Sequence, residues 1–90
     1  MKKVTLFVLR GCPYCIRMMR KIDAMLEANP ELREVPLEVV DESQHRDFAR
    51  RHDYFYVPAF YVDGEKRYEE GVLHADIEEI FRSAADRTSA

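Results

Sequence analysis

Val4-Thr5-Leu6-Phe7-Val8-Leu9-Arg10-Gly11-Cys12-Pro13-Tyr14-Cys15-Ile16-Arg17-Met18-Met19 contains the change of hydrophobic period that decides the fold. Its first six residues form a nearly continuous β-branched and apolar run, the pattern of a strand covered on both faces. Beyond Gly11 the apolar residues recur at Cys15, Met18, Met19, Ile22, Met25 and Leu26, while Arg17, Arg20, Lys21 and Glu27 fall on the opposite side. That spacing predicts an amphipathic helix. Pro30 ends it, because a proline disfavours helical geometry at the residue before it, here Asn29.

Working outward, Leu37 to Val40 reads as a short second strand, and Pro36 at its start suits a sheet edge. Asp41 followed by Gln44 has the form of a helix-capping pair. It predicts a polar helix from about Glu42 to Arg51, resting chiefly on Phe48 and Ala49. Tyr54 to Val62 reads as a strand with an aromatic approach, and Asp63-Gly64 as a tight hairpin into Lys66–Glu70. A last helix places Ile77, Ile80, Phe81 and Ala84 on one face, and the Thr88-Ser89-Ala90 tail is expected to fray. A strand-helix-strand opening implies parallel pairing through a right-handed crossover. The expected architecture is α/β: a four-stranded mixed sheet flanked by three helices, in the order βαβαββα, with helices on both faces. No repeat, linker or low-complexity stretch interrupts it, and 90 residues suit one domain spanning 1–90.

Composition narrows the function classes. With 47% apolar residues the chain is not of the disordered type. A net charge of -3 with interspersed signs lacks the basic excess expected of a nucleic-acid binder. The short basic clusters (Arg17, Arg20 and Lys21; Arg50 and Arg51) read as solvated helix faces. The apolar N-terminal stretch is too short for a membrane span and runs into Arg10-Gly11-Cys12 without a small-residue cleavage site. A soluble, cytoplasmic monomer without membrane or nucleic-acid partners is the expectation. Two cysteines separated by two residues staple no distant segments; in a reducing compartment such a pair reads as redox or metal chemistry.

Cys12-Pro13-Tyr14-Cys15 falls where the strand gives way to the helix. The first turn of a helix has unpaired N–H groups and the positive end of the helix dipole, both of which favour a thiolate over a thiol. Pro13 suits the first helical position, where the N–H it lacks has no partner. An ordinary thiol is only about 3% ionised at pH 7. Lowering its pKa raises that fraction but also lowers the nucleophilicity of the thiolate, so the larger gain is in leaving-group ability. These considerations assign Cys12 as nucleophile and Cys15, one turn along and facing inward, as the resolving thiol. Zinc would need further ligands. His45, His52 and His74 show no ligand spacing and read as exposed helix or loop residues, so no metal site is expected.

Cys-Pro-Tyr-Cys at the start of the first helix, together with Tyr56-Val57-Pro58 leading into the third strand, resembles the dithiol glutaredoxin branch of the thioredoxin superfamily. The likeness spans roughly residues 3 to 85 in the order and length of elements. It implies a thioredoxin-like fold and disulfide reductase activity without a bound cofactor. It also implies that Pro58 is cis and lies beside Cys12, leaving the backbone of Val57 to pair with an extended substrate. Further candidate substrate contacts are Arg10, Pro13, Tyr14, Tyr56 and Gly71.

Relatives that use glutathione place a basic residue three before the first cysteine, a Thr before Val-Pro, and a Gly-Gly near the last helix. Here Arg10 stands two before Cys12, Tyr56 replaces the Thr, and Glu70-Gly71 replaces the glycine pair. Glu69 and Glu70 are expected to oppose glutathione's two carboxylates, while Arg10 and the region of His74 offer partial recognition. Two electron donors therefore stay open, glutathione as co-substrate and thioredoxin reductase. The aromatic run Tyr54, Phe55 and Tyr56, with Tyr14, is read either as an apolar patch for protein substrates or as core (Tyr54) plus shielding. Two alternatives to turnover also stand. One is a dimer holding an iron–sulfur cluster through Cys12, disfavoured by resemblance because cluster carriers typically have Gly-Phe where this chain has Pro13-Tyr14. The other is a redox-regulatory module.

Overall fold

In the computed structural model, which describes residues 1–85, the apolar N-terminal run forms β1 (Val4–Val8) in the interior of the sheet. β2 (Leu37–Asp41) pairs with it in parallel, setting Val4 against Leu37 and Val8 against Asp41. β3 (Ala59–Val62) pairs with its other side in antiparallel sense, Leu6 opposite Phe60. β4 (Glu65–Glu69) completes the order β2-β1-β3-β4, so β2 is an edge strand as Pro36 suggested. Three helices, α1 (Pro13–Ala28), α2 (Arg46–Arg50) and α3 (Ile77–Ala85), complete a thioredoxin-like α/β fold.

Strand alternation divides the core in two. Val4, Leu6, Phe60 and Val62 pack with Met18, Ile22 and Met25 of α1 and with Ile80, Phe81 and Ala84 of α3. Phe7, Ala59 and Tyr61 point to the opposite face, where Val40, Ala49 of α2 and the partly buried Tyr54 cover them. Helices thus lie on both faces, but unequally: α1 has 16 residues and α2 only 5. Aromatic rings make up the shortfall. Phe7 stacks on Tyr54 at 4.9 Å and meets the His52 ring at 4.6 Å. His52 is therefore not the exposed residue expected of it: its ring packs over Phe7 and its Nδ1 bonds the Phe48 carbonyl.

Other expectations also need correcting. The helix expected over 42–51 is confined to Arg46–Arg50, because the Asp41 carboxylate caps nothing. It accepts the Ser43 N–H and hydroxyl at 2.9 and 2.7 Å, forming a turn that competes with helix. The strand expected from Tyr54 begins only at Ala59, and residues 54–58 are irregular. A short 3-10 helix, Pro30–Glu34, has no counterpart in the sequence reading; it buries Leu32 beneath α1 and α3. The 88–90 tail lies outside the described residues.

Asp63 and Gly64 both have positive φ, 48° and 84°, the geometry of a type I′ hairpin turn that glycine adopts without a Cβ penalty. Past this turn β4 carries an irregularity that positions charge. Tyr61 pairs with Lys66 but Phe60 pairs with Tyr68, so Arg67 is an extra residue without a partner. A bulge of this kind reverses the inside-outside phase of the residues beyond it. Lys66 and Glu69, three apart, consequently share the face of Tyr61 and Ala59, and the ammonium meets the carboxylate at 2.9 Å.

Phe81 is fully buried, with its ring 6.5 Å from that of Phe60. Phe81→Ala should cost about 3–5 kcal/mol, measured as a lowered urea midpoint at unchanged slope. Phe48→Ala, on a ring that is 37% exposed, should cost well under half of that.

Candidate functional site

β1 ends at Val8, and the chain turns through Leu9 to Gly11 so that Cys12 caps α1 with Pro13 at its first position. The Cys12 N–H donates to the Leu9 carbonyl at 3.1 Å, closing the turn. Gly11 has φ 83°, a left-handed conformation that a side chain would strain, which suits glycine to this junction. Strand and helix together thus place one sulfur at the helix start and a second one turn in.

The two sulfurs sit in contrasting surroundings. Cys12 is half-exposed and Cys15 is buried at 4% exposure, with both free thiols. No cap hydrogen bond closes on Cys12 in this dithiol form. A thiolate there is nonetheless favoured, first by the Cys15 N–H and further by the Cys15 thiol and the Tyr14 N–H. Burial and the charge of Glu70 oppose this, and the balance holds the Cys12 pKa below the ordinary thiol value. Burial pushes Cys15 up to about 11, and donating its proton toward Cys12 keeps it there. The Leu9 N–H reaches the Cys15 sulfur at 3.5 Å, a partial counterweight. One sulfur is thus half-exposed with its thiolate favoured, and the other is buried with its thiol form favoured.

The remaining residues expected at the site fall into place unevenly. The Val57–Pro58 peptide is cis, as the family likeness implied. The Pro58 carbonyl accepts the Glu70 N–H at 3.1 Å, which ties this segment to the end of β4. Among the described residues neither the N–H nor the C=O of Val57 has a hydrogen-bond partner. The aromatic run is divided: Tyr54 is half-buried against Phe7, while Phe55 is 90% and Tyr56 60% exposed. Tyr14 is exposed as well, with the Arg17 guanidinium 5.4 Å over its ring. Arg10 is exposed and its charge acts on Asp41. Gly71 turns the chain with φ 75° just after β4, and His74 leans edge-on against Tyr68 at 5.8 Å.

Glu69 does not oppose an anionic ligand as expected. It is 1% exposed, and Lys66 neutralises it. Its Oε2 accepts the N–H groups of Phe55 and Tyr56 at 2.7 and 3.1 Å. Sequence reading missed this role, because the Arg67 bulge that aims Glu69 inward leaves no signal in the hydrophobic pattern. Glu70 has the opposite surroundings: its carboxylate accepts the Tyr68 hydroxyl at 3.0 Å, and its charge is felt at Cys12.

A cavity of about 520 Å³ opens on the α2 side, lined by Leu9, Glu42, Arg46, Arg50, Tyr54 and Phe55 among others, but by neither cysteine. Among the described residues no cluster of three or more His, Cys, Asp or Glu is placed to hold a metal ion, and no helix is long and apolar enough to cross a membrane.

These surroundings set the pH dependence of thiol reactivity. Iodoacetamide should modify Cys12 with a rate that rises with pH and levels off below the range in which an ordinary thiol titrates. Above its lowered pKa the sulfur is already ionised. In Cys12→Ser the remaining thiol should stay slow at neutral pH and keep accelerating toward about 11, although the loss of the Cys12 charge removes part of that elevation. Peptide mapping of the alkylated protein reads both. Compared with known proteins, the chain matches no protein-family model, and no curated protein matches it.

Proposed function

We propose that this protein is a dithiol–disulfide oxidoreductase of glutaredoxin type that reduces disulfides through Cys12 and Cys15. The observation that supports this best is the opposed pair of thiol environments within one helical turn: Cys12 half-exposed with a lowered pKa, Cys15 buried and pushed up to about 11.

The chemistry balances without a bound cofactor. The Cys12 thiolate attacks one sulfur of the substrate disulfide and forms a mixed disulfide, and the other substrate sulfur leaves as a thiolate that takes up a proton. Cys15 then loses its proton and attacks the Cys12 sulfur, releasing the second substrate thiol. Two electrons pass to the substrate, and the protein is left with a Cys12–Cys15 disulfide. Cys15 must stay protonated before the first attack, since a second thiolate beside Cys12 would raise the Cys12 pKa. Once Cys12 is in a mixed disulfide its charge is gone, and one reason for the high Cys15 pKa goes with it. Substrate capture thereby prepares the resolving step.

Glutathione or thioredoxin reductase would regenerate the dithiol in the cytoplasm. The burial and pairing of Glu69 remove one of the two charges set against glutathione, leaving Glu70 as the anion whose charge is felt at Cys12. Reduction of a disulfide coupled to NADPH, through glutathione with its reductase or through thioredoxin reductase, identifies the donor by which system sustains turnover.

Cys12→Ser should lose reductase activity by at least about 10³-fold, as expected when the attacking atom is removed. Full activity in that variant would end this reading. Cys15→Ser should instead accumulate a mixed disulfide on Cys12, detected as a mass increase that dithiothreitol reverses.

A further inference from the structure

Glu69 is a buried charge that the exchange chemistry does not use. Burying a carboxylate is unfavourable unless it is fully paired, and an apolar residue at the same place would often serve stability as well. Here it is fully paired, and the partners converge on one segment. Oε2 accepts two successive N–H groups, from Phe55 and Tyr56, at 2.7 and 3.1 Å. Oε1 accepts the Lys66 ammonium at 2.9 Å, and that same ammonium donates to the Asp53 carbonyl at 2.8 Å. Tyr61 adds a bond from its hydroxyl to the Asp53 carboxylate at 2.8 Å. Residues 53, 55 and 56 are thus fastened from β3 and β4, while the next residue, Val57, has no backbone partner among the described residues.

The directions of these bonds matter. With both amides turned inward to the carboxylate, the Phe55 and Tyr56 side chains stand in solvent at 90% and 60% exposure. An exposed aromatic pair beside a backbone left unpaired at Val57 presents the two things a polypeptide in extended form engages: main-chain groups and apolar contact area. A small disulfide without a peptide backbone cannot form the paired main-chain bonds of an added strand.

Building on the disulfide-exchange reading, we propose that Glu69 is a positioning residue that fixes the 55–57 backbone for main-chain pairing, selecting disulfides carried on extended polypeptide over small ones. It touches no reacting atom. Its effect therefore falls on capture of polypeptide substrates, not on sulfur chemistry.

The test uses the full chain, reduced and in excess, in single turnovers. One substrate is a synthetic peptide with a disulfide in an extended stretch, the other bis(2-hydroxyethyl) disulfide. Glu69→Gln should raise the half-saturating concentration for the peptide by about tenfold, the equivalent of one hydrogen-bond interaction lost. The small disulfide should change by less than about twofold, as should Cys12 alkylation at neutral pH. Amide hydrogen exchange at Phe55 and Tyr56 should accelerate in the variant. Equal losses on both substrates, or no loss on either, overturns the proposal while leaving disulfide exchange intact. A wild-type protein that reduces neither substrate refutes the exchange reading itself, and this proposal with it. Should Glu69→Gln fail to fold, Glu69→Asp makes the same comparison, its shorter side chain drawing the carboxylate back from the Phe55 and Tyr56 amides while keeping the charge that Lys66 pairs with, and the same outcomes decide.

Discussion

The arrangement depends on β1 being enclosed on every side. It is paired along both edges, and Val4, Leu6 and Phe7 are fully buried. A strand so confined cannot shift in register without turning Phe7 out of one core and Leu6 out of the other. Its end is therefore a fixed point, and the turn through Leu9 to Gly11 launches α1 from it. The buried face of α1 begins with Cys15 and continues through Met18, Ile22 and Met25, so packing of the helix also fixes the depth of the second sulfur. The same contacts that hold the domain together set the difference in exposure between the cysteines.

That difference requires little additional machinery. Both thiols are on the first turn of one helix, and neither has a basic side chain among the chief influences on it. Backbone N–H groups and the Cys15 thiol favour the outer thiolate, and burial, with the proton shared toward Cys12, keeps the inner proton. Such fixed dipoles need no reorganisation when charge appears on the sulfur. A charged partner, by contrast, would add a side chain whose own protonation and exposure would have to be controlled.

Legibility in the sequence tracks burial. β1, α1 and α3 are readable because their apolar spacing reports packing on large cores, the hairpin because Asp63-Gly64 is a turn signal, and the place of the two cysteines at the start of α1 because the change of period falls there. The α2 region misleads where polar side chains choose between local partners. Asp41 meets the pattern of a helix cap but turns back to Ser43. The segment before Pro58 misleads for a related reason: Tyr54, Phe55 and Tyr56 have strand-like composition, yet two of their amides bond a carboxylate instead of a neighbouring strand. No short-range signal predicts that, since Glu69 lies 13 and 14 residues further along the chain.

The unpaired residue in β4 gives the neighbouring carboxylates separate duties. Because Arg67 resets the phase, Glu69 faces the irregular segment, while Glu70 bonds the Tyr68 hydroxyl and its charge is felt at Cys12. Chain length between the hairpin and Gly71 is accordingly a chemical variable as well as a geometric one. A lineage that gained or lost a single residue there would exchange the two glutamates, taking the anchor from the loop and changing the charge beside Cys12 in the same event.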